Sequence, residues 1–281
     1  MSFGARVAAR LRSTARPTAR RLASAAALEA YEPSSEHEAR LLANAECVED
    51  ARPIRDLRAT TSIGDLKQDL TVTTEGLEDM LGDLGRGARV LEVGPKYGIH
   101  SRWLDRALRP AELVFCDLPE ERQLHDDWRS ELTVSHRFVY AEVREGLVGL
   151  GPFDLVLFLG ILYHSVYHVP MLAALNRVTR LGGSMLLETT IDPRPDASVW
   201  LRWHPRTGKA KAVPTVDAVR VMLAWTGWER VRRFTGYRPG STEAVFLCEK
   251  TAELVEGTDF AATVAPHRVA PATPAASSTL A

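Results

Sequence analysis

The apolar residues of this chain change rhythm near Arg89. Before that point, residues 30 to 85 are mixed and mostly helical in pattern. Ser34-Ser35-Glu36-His37-Glu38 reads as the start of a helix through Leu41, Leu42 and Cys47, and Leu77, Met80 and Leu81 fit a second. From Arg89 onward, short apolar runs alternate with amphipathic stretches, the pattern of parallel α/β architecture. Arg89–Val93, Glu112–Cys116, His136–Tyr140, Phe153–Leu159 and Ser184–Thr189 are predicted strands, with a helical stretch between each pair. The clearest helix runs from Val216 to Trp225. Thr215 is placed to cap it, Asp217 suits its first turn, Val216, Val219, Met222 and Leu223 form one apolar stripe, and Gly227 stops it. Trp228–Phe234 and Glu243–Glu249, joined by Gly236-Tyr237-Arg238-Pro239-Gly240, read as a closing hairpin. The pattern predicts an α/β fold: a mostly parallel seven-stranded sheet with an antiparallel edge strand and helices on both faces.

Composition narrows this picture. At 281 residues with 45% apolar content, the chain can bury a substantial core. A formal charge of −1 gives no global reason to expect nucleic acid or an acidic surface as partner. Cys47, Cys116 and Cys248 are scattered, so neither a disulfide framework nor a metal site is indicated, and a reducing compartment fits. The longest apolar run, Leu155 to Tyr163, is too short to span a bilayer. Six arginines and no acid precede Glu29. That segment reads either as a mitochondrial transit peptide or as a basic extension of a cytoplasmic bacterial enzyme. The second reading is preferred, because arginine outnumbers lysine thirty to five along the whole chain. The expected organisation is a basic extension (1–30), a helical accessory segment (31–85), a main domain (86–250) with an insert at 191–213, and a disordered Ala/Pro/Thr/Ser tail (251–281).

Three motifs carry the candidate chemistry. In Val90-Leu91-Glu92-Val93-Gly94-Pro95-Lys96-Tyr97-Gly98-Ile99-His100 a strand passes through a glycine turn into a helix starting near Ile99, a unit that lets backbone approach a ligand. Glu92 sits at the buried strand end, where a carboxylate needs a cation or fixed donors. Alone, this could be a generic strand-to-helix turn. The second strand ends in Asp117, twenty-three residues after Gly94, an offset at which an acid can accept both ribose hydroxyls of a nucleoside. Its competing role is to cap the helix after Pro119. The third motif, Phe153-Asp154-Leu155-Val156-Leu157-Phe158-Leu159-Gly160-Ile161-Leu162-Tyr163-His164, suits a central strand covered on both faces.

Together these motifs resemble the class I S-adenosylmethionine (SAM) methyltransferases, a Rossmann-like superfamily whose first motif is acidic-x-Gly-x-Gly-x-Gly. Glu92, Gly94 and Gly98 match it, and Lys96 replaces the middle glycine. The resemblance implies SAM as cofactor, held by Glu92, Gly94, Pro95, Lys96, Tyr97, Gly98, Asp117, Leu118, Glu142, Val143 and Leu159. Lys96 then either reaches toward the methionine carboxylate or marks an altered pocket. Phe153 to His164, Leu172–Leu181, Gly182-Gly183, Met185–Thr189 and Val213-Pro214-Thr215 resemble in particular the tRNA wobble-uridine carboxymethyltransferase type and its relatives. In such a sheet ligands lie beyond the carboxyl ends of the strands. That makes Tyr163, His164 and Glu188 candidate acceptor-site residues, with His164 as candidate proton acceptor. The alternatives are Tyr163 as packing and His164 as a helix cap.

The insert from Ile191 to Val213 places Trp200, Trp203 and His204 among Arg202, Arg206, Lys209 and Lys211. Such a set could stack on a nucleobase, cover an aromatic or anionic small molecule, or tuck its tryptophans into the core. The leading expectation is methyl transfer to a small-molecule acceptor, with no metal and no membrane. A tRNA-modifying enzyme and an inactive methyltransferase-like binding protein remain the alternatives.

Overall fold

The computed structural model describes residues 47–50, 59–63, 66–70, 72, 74–204, 209–234 and 242–254. The expected N-terminal extension, the start of the helix at Ser34, the turn at 236–240 and most of the C-terminal tail lie outside these residues.

In chain order the strands are β1 (Cys47–Asp50), β2 (Ala59–Ile63), β3 (Leu66–Leu70), β4 (Arg89–Val93), β5 (Glu112–Asp117), β6 (His136–Tyr140), β7 (Phe153–Leu159), β8 (Thr179–Thr190), β9 (Val199–His204), β10 (Lys209–Pro214), β11 (Trp228–Phe234) and β12 (Glu243–Lys250). The α-helices are α1 (Thr74–Leu81), α2 (Ile99–Trp103), α3 (Arg122–Asp126), α4 (Val143–Gly146), α5 (His168–Val178) and α6 (Val216–Trp225). A π-turn at Leu104–Leu108 continues α2.

The main sheet is ordered β1-β11-β12-β8-β7-β4-β5-β6. Strand β12 runs against both its neighbours, and every other pairing is parallel. The seven strands expected from the sequence are therefore present as a Rossmann-like sheet, with β12 one place in from β11. Strand β1 adds an eighth along β11. Side chains alternate across the sheet: Val114, Cys116, Val156 and Phe158 join the core beneath α5 and α6, while Leu113, Phe115, Leu155 and Leu157 join the core beneath α1 and the Leu104–Leu108 turn. Both faces are covered, which is why β4, β5 and β7 read as continuous apolar runs.

Two expectations are corrected. Residues 31–85 are not mostly helical: within the described part they form β1, β2, β3 and only one helix, α1. Cys47, placed in a helix by its local pattern, instead pairs with Val231. Pairing to the backbone groups along β11 outweighs weak local propensity. The β2–β3 hairpin had a legible signal, β-branched Thr60, Thr61 and Ile63 followed by Gly64-Asp65. The insert at 191–213 is likewise no irregular loop: β9 and β10 form an antiparallel hairpin, as a run of Val, Trp and Leu in β9 favours.

Helix α6 begins as expected, with Thr215 Oγ1 accepting from Ala218 N at 3.1 Å. The end of α5 is held differently. Lys250, 1% exposed, donates from Nζ to the carbonyls of Asn176 (2.9 Å) and Thr179 (2.7 Å) and meets Glu253 at 2.8 Å. An ammonium there satisfies the helix's terminal carbonyls and its negative pole while tying β12 to α5. Replacing Lys250 with Met keeps the volume and removes the ammonium from both carbonyls, leaving the Asn176 carbonyl with the Thr179 N–H. We expect Lys250→Met to lose about 1–3 kcal/mol in denaturant unfolding. An unchanged midpoint would mean that the cost of burying the ammonium cancels its bonds.

Candidate functional site

Strand order reverses between β4 and β7, and in such sheets the crevice beyond the carboxyl ends at this point receives ligands. The predicted residues gather along this edge. The chain leaves β4 through Gly94, Lys96 and Gly98, all left-handed at φ 67°, 46° and 66°. Lys96 thus adopts the conformation a glycine would take in its place, at a strain of roughly 1–2 kcal/mol. Its side chain is exposed, Tyr97 is half-buried and Pro95 is buried.

Packing explains why the outer positions are glycine. A Cβ on Gly94 would stand 2.7 Å from Ile161 Cδ1, and one on Gly98 would stand 2.3 Å from the Trp128 ring. The Trp128 indole also donates to the Lys96 carbonyl at 2.8 Å. One tryptophan therefore holds the turn from above and from the side.

Glu92 is 3% exposed and accepts from Ser101 Oγ at 2.6 Å. Burial, opposed by that bond and assisted by nearby Asp117, pushes its carboxyl up to about 7. Asp117, 9% exposed, accepts from Leu118 N at 2.8 Å and lies 3.1 Å from His125. It does not cap the turn after Pro119, whose cap position is Leu118 with no side-chain bond. Leu118 itself is exposed. Burial and the Asp117 and Glu142 carboxylates push the neighbouring Cys116 thiol up to about 12, too high for a nucleophile.

Beyond β6, Ala141 N donates to the Asp117 carbonyl at 2.9 Å, which sets Glu142 and Val143 beside β5. Glu142 caps α4, accepting through one oxygen from Arg144 N (2.9 Å) and Arg144 Nε (3.0 Å), and Val143 is buried. Beyond β7, half-buried Leu159 leads to Gly160, whose N–H donates to the Glu188 carbonyl at 3.1 Å. The Tyr163 and His164 rings are 4.2 Å apart, and His164 is exposed. Burial and then Glu188 raise the Tyr163 hydroxyl above its ordinary range, while a bond with Thr190 opposes the shift. Glu188 is 4% exposed.

The hairpin reaches this group through Lys211, whose ammonium lies 4.6 Å above the Tyr163 ring. Buried Asp192 anchors it, binding Arg194 Nε at 2.7 Å and Arg202 Nη2 at 2.5 Å. These arginines hold the Asp192 carboxyl far below the usual carboxylate range. Arg194 in turn covers the Trp200 ring. Trp200 and Trp203 are exposed, not tucked into the core, while the His204 side chain lies outside the described residues. Among the described residues, no group of three His, Cys, Asp or Glu side chains is placed to hold a metal ion. Nor is any described helix long and apolar enough to cross a membrane.

The structure thus sets Glu92, the 94–98 turn, Asp117, Glu142 and Val143 along the β4–β5–β6 part of the carboxyl edge and Leu159, Tyr163, His164 and Glu188 along the β7–β8 part. Ile161, packed against Gly94, joins the two. Sequence reasoning missed Trp128, His125, Tyr140 and Ile161, whose roles depend on contacts across elements. It named Lys211 only among the bases of the insert.

The N-terminal domain of EvdMO1, crystallised in the presence of SAH and D-fucose, is 17% identical, with a TM-score of 0.53 over 77% of this chain and 96% of that one. A SAM-dependent methyltransferase from Mesorhizobium loti is 16% identical, with a TM-score of 0.50 over 63% of this chain and 98% of that one. The chain has the methyltransferase fold. A Burkholderia thailandensis 1,6-didemethyltoxoflavin-N1-methyltransferase with bound 1,6-didemethyltoxoflavin and S-adenosylhomocysteine aligns at 23% identity, with a TM-score of 0.47 over 64% of this chain and 76% of that one. No family model and no curated protein matches the chain.

Glu92 supplies a test of the site's electrostatics. Its folded value of about 7 lies above the ordinary 4.5, so between those values the folded protein holds a proton that the unfolded chain has released. Stability should fall as pH rises through that window, by at most about 1.4 kcal/mol per unit. We expect Glu92→Gln to flatten this fall in thermal melts from pH 5 to 8. Equal slopes for wild type and variant would show that Glu92 is ionised at no cost.

Proposed function

We propose that the chain is a SAM-dependent methyltransferase acting on a small-molecule acceptor, with residues 86–250 as its catalytic domain and 31–85 as an accessory segment. One arrangement carries the reading: the left-handed turn Gly94–Gly98 and the buried Asp117 carboxylate stand side by side where the strand order reverses. The fold shared with the EvdMO1 domain and the Mesorhizobium loti enzyme supports it.

The residues suit this cofactor. The Lys96 backbone keeps the left-handed turn that a middle glycine would give, which argues against a lost pocket. Asp117 offers a carboxylate for two ribose hydroxyls, and Lys96 a cation for the methionine carboxylate. Leu118, Val143 and Leu159 offer apolar surface around the adenine, with Glu142 at its edge. When bound, SAM supplies a methyl group already activated by its sulfonium. The protein then has mainly to fix the acceptor at near-attack distance and exclude water. Tyr163, Glu188 and Lys211 would orient the acceptor, and exposed His164 would take the proton released by an O–H or N–H nucleophile. Trp200 and Trp203, beside Arg202, favour an aromatic or anionic acceptor.

The Phe153–His164 segment and the Trp/Arg strand β9 favour one second reading, a tRNA-modifying methyl- or carboxymethyltransferase. A formal charge of −1 weighs against it.

Calorimetric titration with SAM tests the proposal. We expect micromolar binding by the wild type and a loss of roughly tenfold or more in Asp117→Ala, whose folding is checked by circular dichroism. No binding by folded wild type would overturn the reading in favour of a methyltransferase-like protein without the cofactor.

A further inference from the structure

Asp117 does not stand alone at the end of β5. Its Oδ2 lies 3.1 Å from His125 Nε2, and His125 Nδ1 lies 3.1 Å from the Tyr140 hydroxyl. An ionised carboxylate can only accept, so Nε2 carries the hydrogen in that bond. The second ring nitrogen and the Tyr140 hydroxyl share the other bond, which ties His125 to β6. His125 therefore donates to Asp117 and is itself held from behind by Tyr140.

His125 has no other work available to it. It is 0% exposed, with its ring stacked 5.0 Å from Phe138 and 5.6 Å from Tyr140, and edge-on to Trp128 at 5.7 Å. A ring so enclosed touches no substrate, and both its nitrogens are engaged. What it does is fix the Asp117 carboxylate. Oδ2 is held by His125, and Oδ1 by Leu118 N at 2.8 Å. Each oxygen has two lone pairs, so one remains on each. Two vicinal hydroxyls require just such a pair, and a carboxylate already locked loses no rotational freedom on receiving them.

We propose that His125, backed by Tyr140, is a positioning residue that makes the site selective for a nucleoside bearing both ribose hydroxyls. The proposal rests on the SAM reading and goes beyond it, because it assigns ribose discrimination to an enclosed residue behind the carboxylate.

The test compares S-adenosylhomocysteine with its 2′-deoxyribose analogue by calorimetry on wild type, His125→Leu, His125→Gln and Tyr140→Phe. Wild type should prefer the ribose form by roughly tenfold or more, the worth of a hydrogen bond to a charged acceptor. His125→Leu should collapse that preference to about threefold or less, weakening the ribose form more than the deoxy analogue, which has one hydroxyl fewer on Asp117. His125→Gln, whose amide can donate from near the Nε2 position, should restore most of it. Tyr140→Phe should narrow it in part, and because Tyr140 is only half-buried this variant still decides the matter if His125→Leu fails to fold. Equal weakening of both ligands, as a merely structural role would give, overturns the proposal, and so does an undiminished preference in Tyr140→Phe and His125→Leu. Failure of wild type to bind S-adenosylhomocysteine at all overturns the cofactor reading itself, an outcome visible before any variant is measured.

Discussion

The packing of Trp128 on the turn after β4 is the contact on which the carboxyl edge depends. Its ring occupies the space a Cβ would need at Gly98, and its indole N–H holds the Lys96 carbonyl. Three consecutive alternate positions in the left-handed region are unfavourable for a chain that includes a lysine, and they persist because the surroundings over-determine them. The same tryptophan packs in a ring cluster with Phe115, Phe138 and His125, which ties the turn to β5, β6 and α3. Preorganisation of this kind is what a site needs if binding is to avoid the cost of ordering it.

Across the crevice the logic is electrostatic. Asp192 collects Arg194 and Arg202 and so fixes the hairpin over the turn at Leu162–His164. The hairpin presents Lys211 inward to Tyr163 and leaves Trp200 and Trp203 at the rim. The part of the edge carrying Asp117 and the part carrying Tyr163 and Glu188 meet at Ile161 and Gly94. A site built partly on a scaffold edge and partly on a separate hairpin is one whose ligand can change without changing the fold.

Much of this was legible in the sequence because the parallel strands are buried on both faces. Runs such as Leu155–Leu159 announce themselves, and Thr215 and Gly227 bracket α6 as their chemistry dictates. The turn and its acids were legible too, since spacing along one chain segment reveals them. The contact between His125 and Tyr140 was not: α3 and β6 must fold before residues fifteen apart in sequence face each other. For the same reason β1 escaped notice, because its strand character comes from its partner β11 and not from its own four residues.

On the function proposed, the carboxyl edge around Gly94–Gly98 and Asp117 receives a nucleoside cofactor. Hydrogen-exchange mass spectrometry with and without S-adenosylhomocysteine tests it most directly. Slowed exchange in peptides spanning 93–98, 117–118 and 141–143, with β11 and β12 unchanged, is the predicted result. Unchanged exchange across those peptides at saturating ligand, or protection confined to the opposite edge of the sheet, would contradict it.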